Sequence, residues 1–256
     1  MKAFQDKSVI VTGASSGIGR ELAVAFARQG ANVTVNFASS EGKARKTLEM
    51  VEAAGGRGIL QHGDVSVEAE AEGIVKAAVS AFGGVDTLVN NAGRTSFIPF
   101  KDIEAITETV WRDILGVNVM GTFFVSKAAA RCMAERGGSI VNIASVAGQR
   151  PNGSSIPYCA SKAAVIMMTQ CLAKALGPKV RVNSVSPGYI SATDWSGGRT
   201  PDAIAAACKN AVEFSAAERV GIPDDLVGAV LYLASDGASF CSGIDILVDG
   251  GRALFL

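Results

Sequence analysis

The chain has 256 residues, 48% hydrophobic and 19% charged, long enough to bury a large core and too apolar for a disordered segment. Its 24 basic and 24 acidic residues give a formal net charge of +0, so no broad field recruits nucleic acid or an anionic membrane, and neither is expected as a partner. Cys132, Cys159, Cys171, Cys208 and Cys241 are scattered without a C-x-x-C spacing and His62 is the single histidine, which argues against a disulfide framework, a histidine triad or a metal centre.

The polar stretch 1–7 leads into an apolar run too short for a signal-peptide core. No apolar stretch approaches the ~20 residues that span a bilayer, so a cytoplasmic soluble protein is expected. Ser8 to Val11 reads as a strand ending at Thr12-Gly13, and a helical pattern after Gly19 carries Leu22, Val24, Phe26 and Ala27 to Gly30. Between them Gly13, Gly17 and Gly19 are spaced G-x-x-x-G-x-G, with Ser15, Ser16 and Ile18 filling the turn. Strand, glycine turn and helix form the context of a nucleotide-phosphate loop, in which backbone N–H groups and a positive helix end approach a pyrophosphate.

Val33 to Phe37 reads as the second strand. Dinucleotide folds that prefer NAD end this strand in an acid that accepts hydrogen bonds from the ribose; here Asn36, Phe37, Ala38, Ser39 and Ser40 are neutral, and Lys43 and Arg45 follow. A 2′-phosphate meets no carboxylate there and finds hydroxyl and cationic partners, which predicts a preference for NADP(H). Glu41 to Ala54 is a helix and Gly58 to Gln61 a third strand, with Asp64 and Val65 at its end; Asp64 or Ser66 can also start the next helix, Val67 to Phe82. Thr87 to Val89 is a fourth strand running into Asn90-Asn91-Ala92-Gly93.

Beyond Pro99 a mostly helical region reaches about Glu135, interrupted near Gly116-Val117-Asn118, where an asparagine can draw backbone groups out of regular bonding. Ser139 to Ala144 is a fifth strand, and Ser145 emerges at its C-terminal end, where open α/β sheets collect ligands. Pro157 opens a helix that runs to Leu176 and stops at Gly177-Pro178. That helix carries Tyr158 and Lys162, which lie a turn apart on one face. An ammonium beside a phenol favours the phenolate and lowers its pKa from ~10 towards a value useful for proton transfer. Val180 to Val185 is a sixth strand, and Pro187-Gly188 begins a loop. The segment 194–219 follows no fixed motif, and a substrate lid is expected over about 189–219. A helix from Asp224 to Ala234 and a strand, Ile244 to Val248, complete the order. Strand-like runs alternating with helices predict one Rossmann-type, doubly wound parallel sheet of seven strands with helices on both faces, in a single domain over 1–256.

Taken together, the glycine turn 12–19, Asp64, Asn90-Asn91-Ala92-Gly93, Asn118, Ser145, the Tyr158/Lys162 pair, Pro187-Gly188 with Thr193, and Asp249-Gly250-Gly251 resemble the short-chain dehydrogenase/reductase family across nearly the whole chain. The resemblance implies that Asp64 meets the adenine amino group, that the backbone of Asn91, Ala92 and Gly93 passes the adenine ribose, and that Ile190 and Thr193 contact the nicotinamide carboxamide. It also implies that Asn118 holds a water in a proton relay, that Ser145 hydrogen-bonds the substrate carbonyl, and that Lys162 anchors the nicotinamide ribose. The two long helices before and after Ser145 are expected to pack against a second subunit, in a homotetramer or homodimer. Ser16 stands where many NADP-preferring relatives carry a basic residue, so NAD(H) stays open as an alternative.

The expected reaction is hydride transfer between a nicotinamide and a ketone or secondary alcohol, with Asn118, Ser145, Tyr158 and Lys162 as the catalytic set. A 3-oxoacyl thioester, a small ketone, a sugar or polyol and a steroid-like alcohol are candidate substrates, and Arg94, Phe97, Gln149, Arg150, Trp195 and Arg199 are candidate cleft residues. A nucleotide-sensing protein that does no chemistry would have replaced the tyrosine or the lysine, and neither is replaced.

Overall fold

The computed structural model describes residues 3–191, 193 and 199–255. Trp195 and the other residues of the expected lid at 192, 194 and 196–198 lie outside these. The order is β1 (Ser8–Val11), α1 (Gly17–Arg28), β2 (Asn32–Phe37), α2 (Glu41–Ala53), β3 (Arg57–His62), α3 (Glu68–Phe82) and β4 (Thr87–Asn90). There follow α4 (Glu108–Leu115), a π-helical turn (Gly116–Gly121), α5 (Thr122–Met133), β5 (Gly138–Ile143), α6 (Ile156–Leu176), β6 (Val180–Pro187), α7 (Pro201–Glu213), α8 (Val227–Ala234) and β7 (Asp245–Val248).

All seven strands join one parallel sheet in the order β3-β2-β1-β4-β5-β6-β7. The expected doubly wound sheet is therefore present, its chain reversal lying between β1 and β4, where such sheets open a ligand crevice at the strand C-termini. Alternation along each strand supplies two cores. Val9, Val11, Val33, Val35, Val89 and Val141 pack on one face against Leu22 and Phe26 of α1 and Val230 and Leu233 of α8. On the other face Ile10, Leu88, Ile140 and Val182 pack against Ile74 of α3 and Val125 and Met133 of α5. Covered on both faces, the strands read as apolar runs rather than as half-polar ones.

Beside the second core, on the same face of the sheet, runs a buried polar line. The Asn90 amide nitrogen donates to Ser126 Oγ and to Asn142 Oδ1, both at 2.8 Å, and the Asn142 amide donates to Thr169 Oγ1 at 2.9 Å. It ties α5, β4, β5 and α6 together beneath the strand ends.

Two stretches differ from expectation, and the expected interruption near Gly116 takes a defined form. The last helix is split into a 3-10 turn, Pro223–Leu226, and α8. The segment expected to form a lid contains a regular helix, α7, whose N-cap Thr200 accepts from Ala203 N at 3.3 Å with Pro201 opening the helix. The interruption before α5 is a π-turn, with the helical path continuing on both sides.

Candidate active site

A cleft of about 1020 Å³ follows the strand C-termini from β3 to β6 and passes under α7, at the upper end of the ~300–1,000 Å³ typical of ligand sites. At one end lie Gly13, Ser15, Ser16, Gly17, Ile18 and Gly19. Here α1 begins with no side-chain cap and no acid in its first turn, which leaves its positive end available to an anion. The turn is held from outside by a residue the sequence reading passed over. Arg20 donates to the Ser15 carbonyl at 2.5 Å, to Thr47 Oγ1 at 2.9 Å and to the Lys43 carbonyl at 3.3 Å, lashing the loop to α2. The only signal for it was an arginine directly after the last glycine of the turn.

Gly19 permits the close approach on the other side: the Asn91 amide nitrogen donates to the Thr12 and Gly13 carbonyls at 2.9 and 3.1 Å, where a Cβ on Gly19 would lie. Asn91 thus braces the glycine turn with its side chain, while Asn91, Ala92 and Gly93 line the cleft. Gly17 has φ 54° and lies against Thr193, whose Cβ is 3.2 Å from the position a Cβ on Gly17 would take. Thr193, Pro187, Gly188 and Ile190 line the cleft opposite.

At the β2 end, Asn36, Phe37, Ala38 and Ser39 line the cleft, with Asp64 and Val65 facing them. The Asn36 side chain is spent internally: Oδ1 accepts from Gly13 N at 3.2 Å and the amide donates to the Gln61 and Gly63 carbonyls. The Asn36 carbonyl is also engaged, accepting from Ala14 N at 2.8 Å, so of the neutral residues expected at the ribose it is Ser39 that lines the cleft. Ser40 does not line the cleft and instead precedes α2. Asp64 Oδ1 accepts from Ser66 N and Oγ, so the turn role and a cleft-facing position coexist. His62 closes β3, its ring edge-on to Phe37. The glycine turn, the uncapped helix end and the neutral β2 terminus together fit a nicotinamide dinucleotide.

The candidate catalytic residues gather where β5 ends. Ser145 follows the strand, and its Oγ accepts from Ala147 N at 3.1 Å, which leaves the hydroxyl proton free for the Tyr158 oxygen, to which Ser145 is hydrogen-bonded. Tyr158 occupies the first turn of α6, its N–H capped by Ser155 Oγ at 3.4 Å. One turn on, Lys162 is 5% exposed and its Nζ donates to the Ile143 carbonyl at 2.7 Å. Burial pushes the Lys162 ammonium down to about 8. Burial also pushes the Tyr158 phenol up to about 12, against the opposing pull of the Ser145 hydrogen bond. The expected lowering of the phenol pKa by the lysine is thus reversed: Nζ is 5.8 Å from the ring centroid and turned to a carbonyl, so desolvation outweighs its attraction.

Asn118 stands one layer behind the cleft, 1% exposed, while Val117 lines it. Its Oδ1 accepts from Arg94 N at 2.7 Å, and its amide donates to the Arg94 carbonyl at 3.0 Å and to Ser161 Oγ at 2.9 Å. Ser161 in turn donates to the Tyr158 carbonyl at 2.7 Å, so the π-turn is bonded to the helical turn that presents the phenol. This link was missed in the sequence, although Ser161 directly precedes the lysine. Of the candidate substrate residues, Arg94, Phe97 and Arg199 line the cleft, with the Arg199 guanidinium 4.0 Å from the Phe97 ring centroid and the Arg94 guanidinium 2.8 Å from Asp113. Gln149 and Arg150 do not line it; Gln149 bonds Asp245 at 2.5 Å.

Residues 13–253 match the family model described as enoyl-(acyl carrier protein) reductase. The chain is 40% identical to an L-rhamnose 1-dehydrogenase (NAD(P)(+)) of Azotobacter vinelandii over 252 residues, 96% of each chain. It is 36% identical to a 3-oxoacyl-(acyl-carrier-protein) reductase of Staphylococcus epidermidis over 250 residues, 96% of this chain and 98% of that one. A solved short-chain type dehydrogenase/reductase from Mycobacterium ulcerans superposes with a TM-score of 0.90 at 33% identity, covering 99% of this chain and 92% of that one. With sheet order, strand-end cleft and end-to-end similarity all in agreement, the chain belongs to the short-chain dehydrogenase/reductase family, whose members are oxidoreductases acting on CH–OH groups.

Proposed function

We propose that this protein interconverts a ketone and a secondary alcohol with NADP(H), using Tyr158 as general acid and base. The observation that carries the reading is the hydrogen bond between Ser145 and Tyr158 beside a buried Lys162, in the same cleft as the glycine turn. When bound, the nicotinamide supplies or accepts the hydride. In reduction, Ser145 and Tyr158 hydrogen-bond the carbonyl oxygen, and Tyr158 gives its proton to that oxygen as it becomes an alcohol; oxidation reverses the transfer. Lys162 holds positive charge next to the phenol and offers donors to a ribose. Asn118, bonded through Ser161 to the Tyr158 turn, is the positioning residue for the proton path behind the lysine.

Ser39 at the adenosine end, without an acid at the close of β2, supports NADP(H) over NAD(H). A 3-oxoacyl thioester or small ketone is the substrate class favoured by the similarity to 3-oxoacyl reductases; the rhamnose dehydrogenase relatives favour a sugar as the second reading. Exposed Met120, Phe123 and Met167, on the π-turn, α5 and α6, support packing of two subunits in a cytoplasmic homodimer or homotetramer. The segment 189–219 serves as the lid of one catalytic domain.

The test is a screen of ketones and alcohols, read by absorbance of the reduced cofactor, on wild type and Tyr158→Phe. The variant should bind NADPH with little change and lose ~10²-fold or more of turnover. An unchanged rate removes Tyr158 from the mechanism, and faster reduction with NADH than with NADPH removes the cofactor preference.

A further inference from the structure

Arg252 follows β7 and is 8% exposed, yet it lines the cleft. Its terminal nitrogens donate to the Asn210 carbonyl at 3.2 Å and to Asn210 Oδ1 at 2.7 Å, both on α7. Both partners are neutral, and no described carboxylate is within ion-pair distance of this guanidinium. A buried guanidinium with five N–H donors is usually paired with an acid, because the charge is costly to desolvate. Burial depresses its pKa, and Asp249, nearest in charge, turns its oxygens to the N–H groups of Gly251 and Ala253 instead.

A small adjoining pocket that Arg252 also lines carries Asp249 and Asp225, the latter paired with Arg219, while the main cleft is short of negative charge. Asp64 is the one acidic residue among the described lining residues, and it lies at the end of β3, the opposite edge of the sheet from β7. The glycine turn that fits a pyrophosphate follows β1, four strands from β7, or about 19 Å at ~4.8 Å per strand. Arg252 therefore stands at the substrate side of the cleft, on the partner of the lid helix.

We propose that Arg252 is a specificity-determining residue that receives an oxyanion of the substrate, a carboxylate or a phosphate monoester carried some bonds away from the reacting carbonyl. The planar guanidinium, already oriented by Asn210, presents a fork to such a group, and binding it supplies the missing counter-charge. Because Asn210 belongs to α7, an occupied guanidinium also holds the lid helix over the cleft. This inference rests on the ketone/alcohol reading for its reaction, but its binding test does not.

The experiment uses the full chain and compares 3-oxobutanoate, 4-oxopentanoate and 5-oxohexanoate with their methyl esters, and dihydroxyacetone phosphate with dihydroxyacetone. The readouts are kcat/KM with NADPH and, by calorimetry in the presence of NADP, Kd. For at least one pair the charged compound should be preferred by tenfold or more. The pair identifies the source: an acid marks a carboxylate, the phosphate ester a phosphate. In Arg252→Gln that ratio should fall to near one, and Arg252→Lys, which keeps the charge but not the fork, should recover only part of it. A wild-type ratio near one for every pair overturns the inference, and that result needs no variant to fold. A preference that survives in Arg252→Gln overturns it as well. Selective binding without turnover supports the subsite and counts against the hydride-transfer reading alone.

Discussion

Lys162→Met should stabilise the protein at neutral pH while abolishing its activity. In the fold the ammonium titrates at about 8, against 10.5 for a free lysine. A gap of that size corresponds to roughly 3 kcal/mol at 1.36 kcal/mol per unit, lost by keeping the charged form buried. The lysine also donates to the Ile143 carbonyl, a bond contributing about 1 kcal/mol that methionine cannot make. The net gain for Lys162→Met at pH 7 is therefore about 1–2 kcal/mol, or ~2–8 °C in Tm for a domain of this size. The folded pKa lies below the unfolded one, so the unfolded chain binds more protons between the two values and wild-type stability rises with pH across that window. The penalty is complete below pH 8 and gone above about 10.5. The assay is thermal or urea unfolding of both proteins without added cofactor at pH 7, 8, 9 and 10. The advantage of the variant should shrink steadily above pH 8 and reverse by pH 10, where the wild type has shed the burial penalty and keeps its bond to the Ile143 carbonyl. A difference that does not change with pH would refute the reasoning, since it would show that the charge of Lys162 is not what burial penalises.

Gly19→Ala places a Cβ against the Asn91 amide and 2.6 Å from the Gly13 carbonyl, and should cost about 1–3 kcal/mol through overpacking while weakening NADP binding at least tenfold; cofactor titration with wild-type Kd would contradict the brace. Asn142→Val leaves a buried Asn90 donor without its acceptor and removes the bond to Thr169, so stability should fall by about 2–4 kcal/mol, read as a Tm lower by ~5–15 °C. A drop under about 1 °C would show that the polar line bears no load.

Much of this architecture was legible because alternation and glycine placement are local signals. Val9, Ile10 and Val11 announce a strand buried on both faces, and the spacing of Gly13, Gly17 and Gly19 announces a turn that needs backbone close to a ligand. Tyr158 and Lys162 could be placed on one face by helical geometry alone. What could not be read was anything that depends on distant residues meeting. Arg20 reaches α2, Ser161 reaches the π-turn, and Arg252 reaches α7, each from a position whose neighbours in sequence give no hint of the partner. The sign of the Tyr158 shift failed for the same reason. A pair of side chains suggests attraction, whereas burial depends on every element packed around them.

The π-turn at Gly116–Gly121 is one residue longer than a regular helical path requires. Deleting a single residue there would restore an unbroken ladder and, at about 100° per residue, swing everything beyond it to another side of the axis. Asn118 would then lose its grip on Arg94 and Ser161 together. A redesign that straightens this helix for tidiness would trade a local irregularity for a misaligned tyrosine, so the irregularity is best treated as a fixed part when the scaffold is reused.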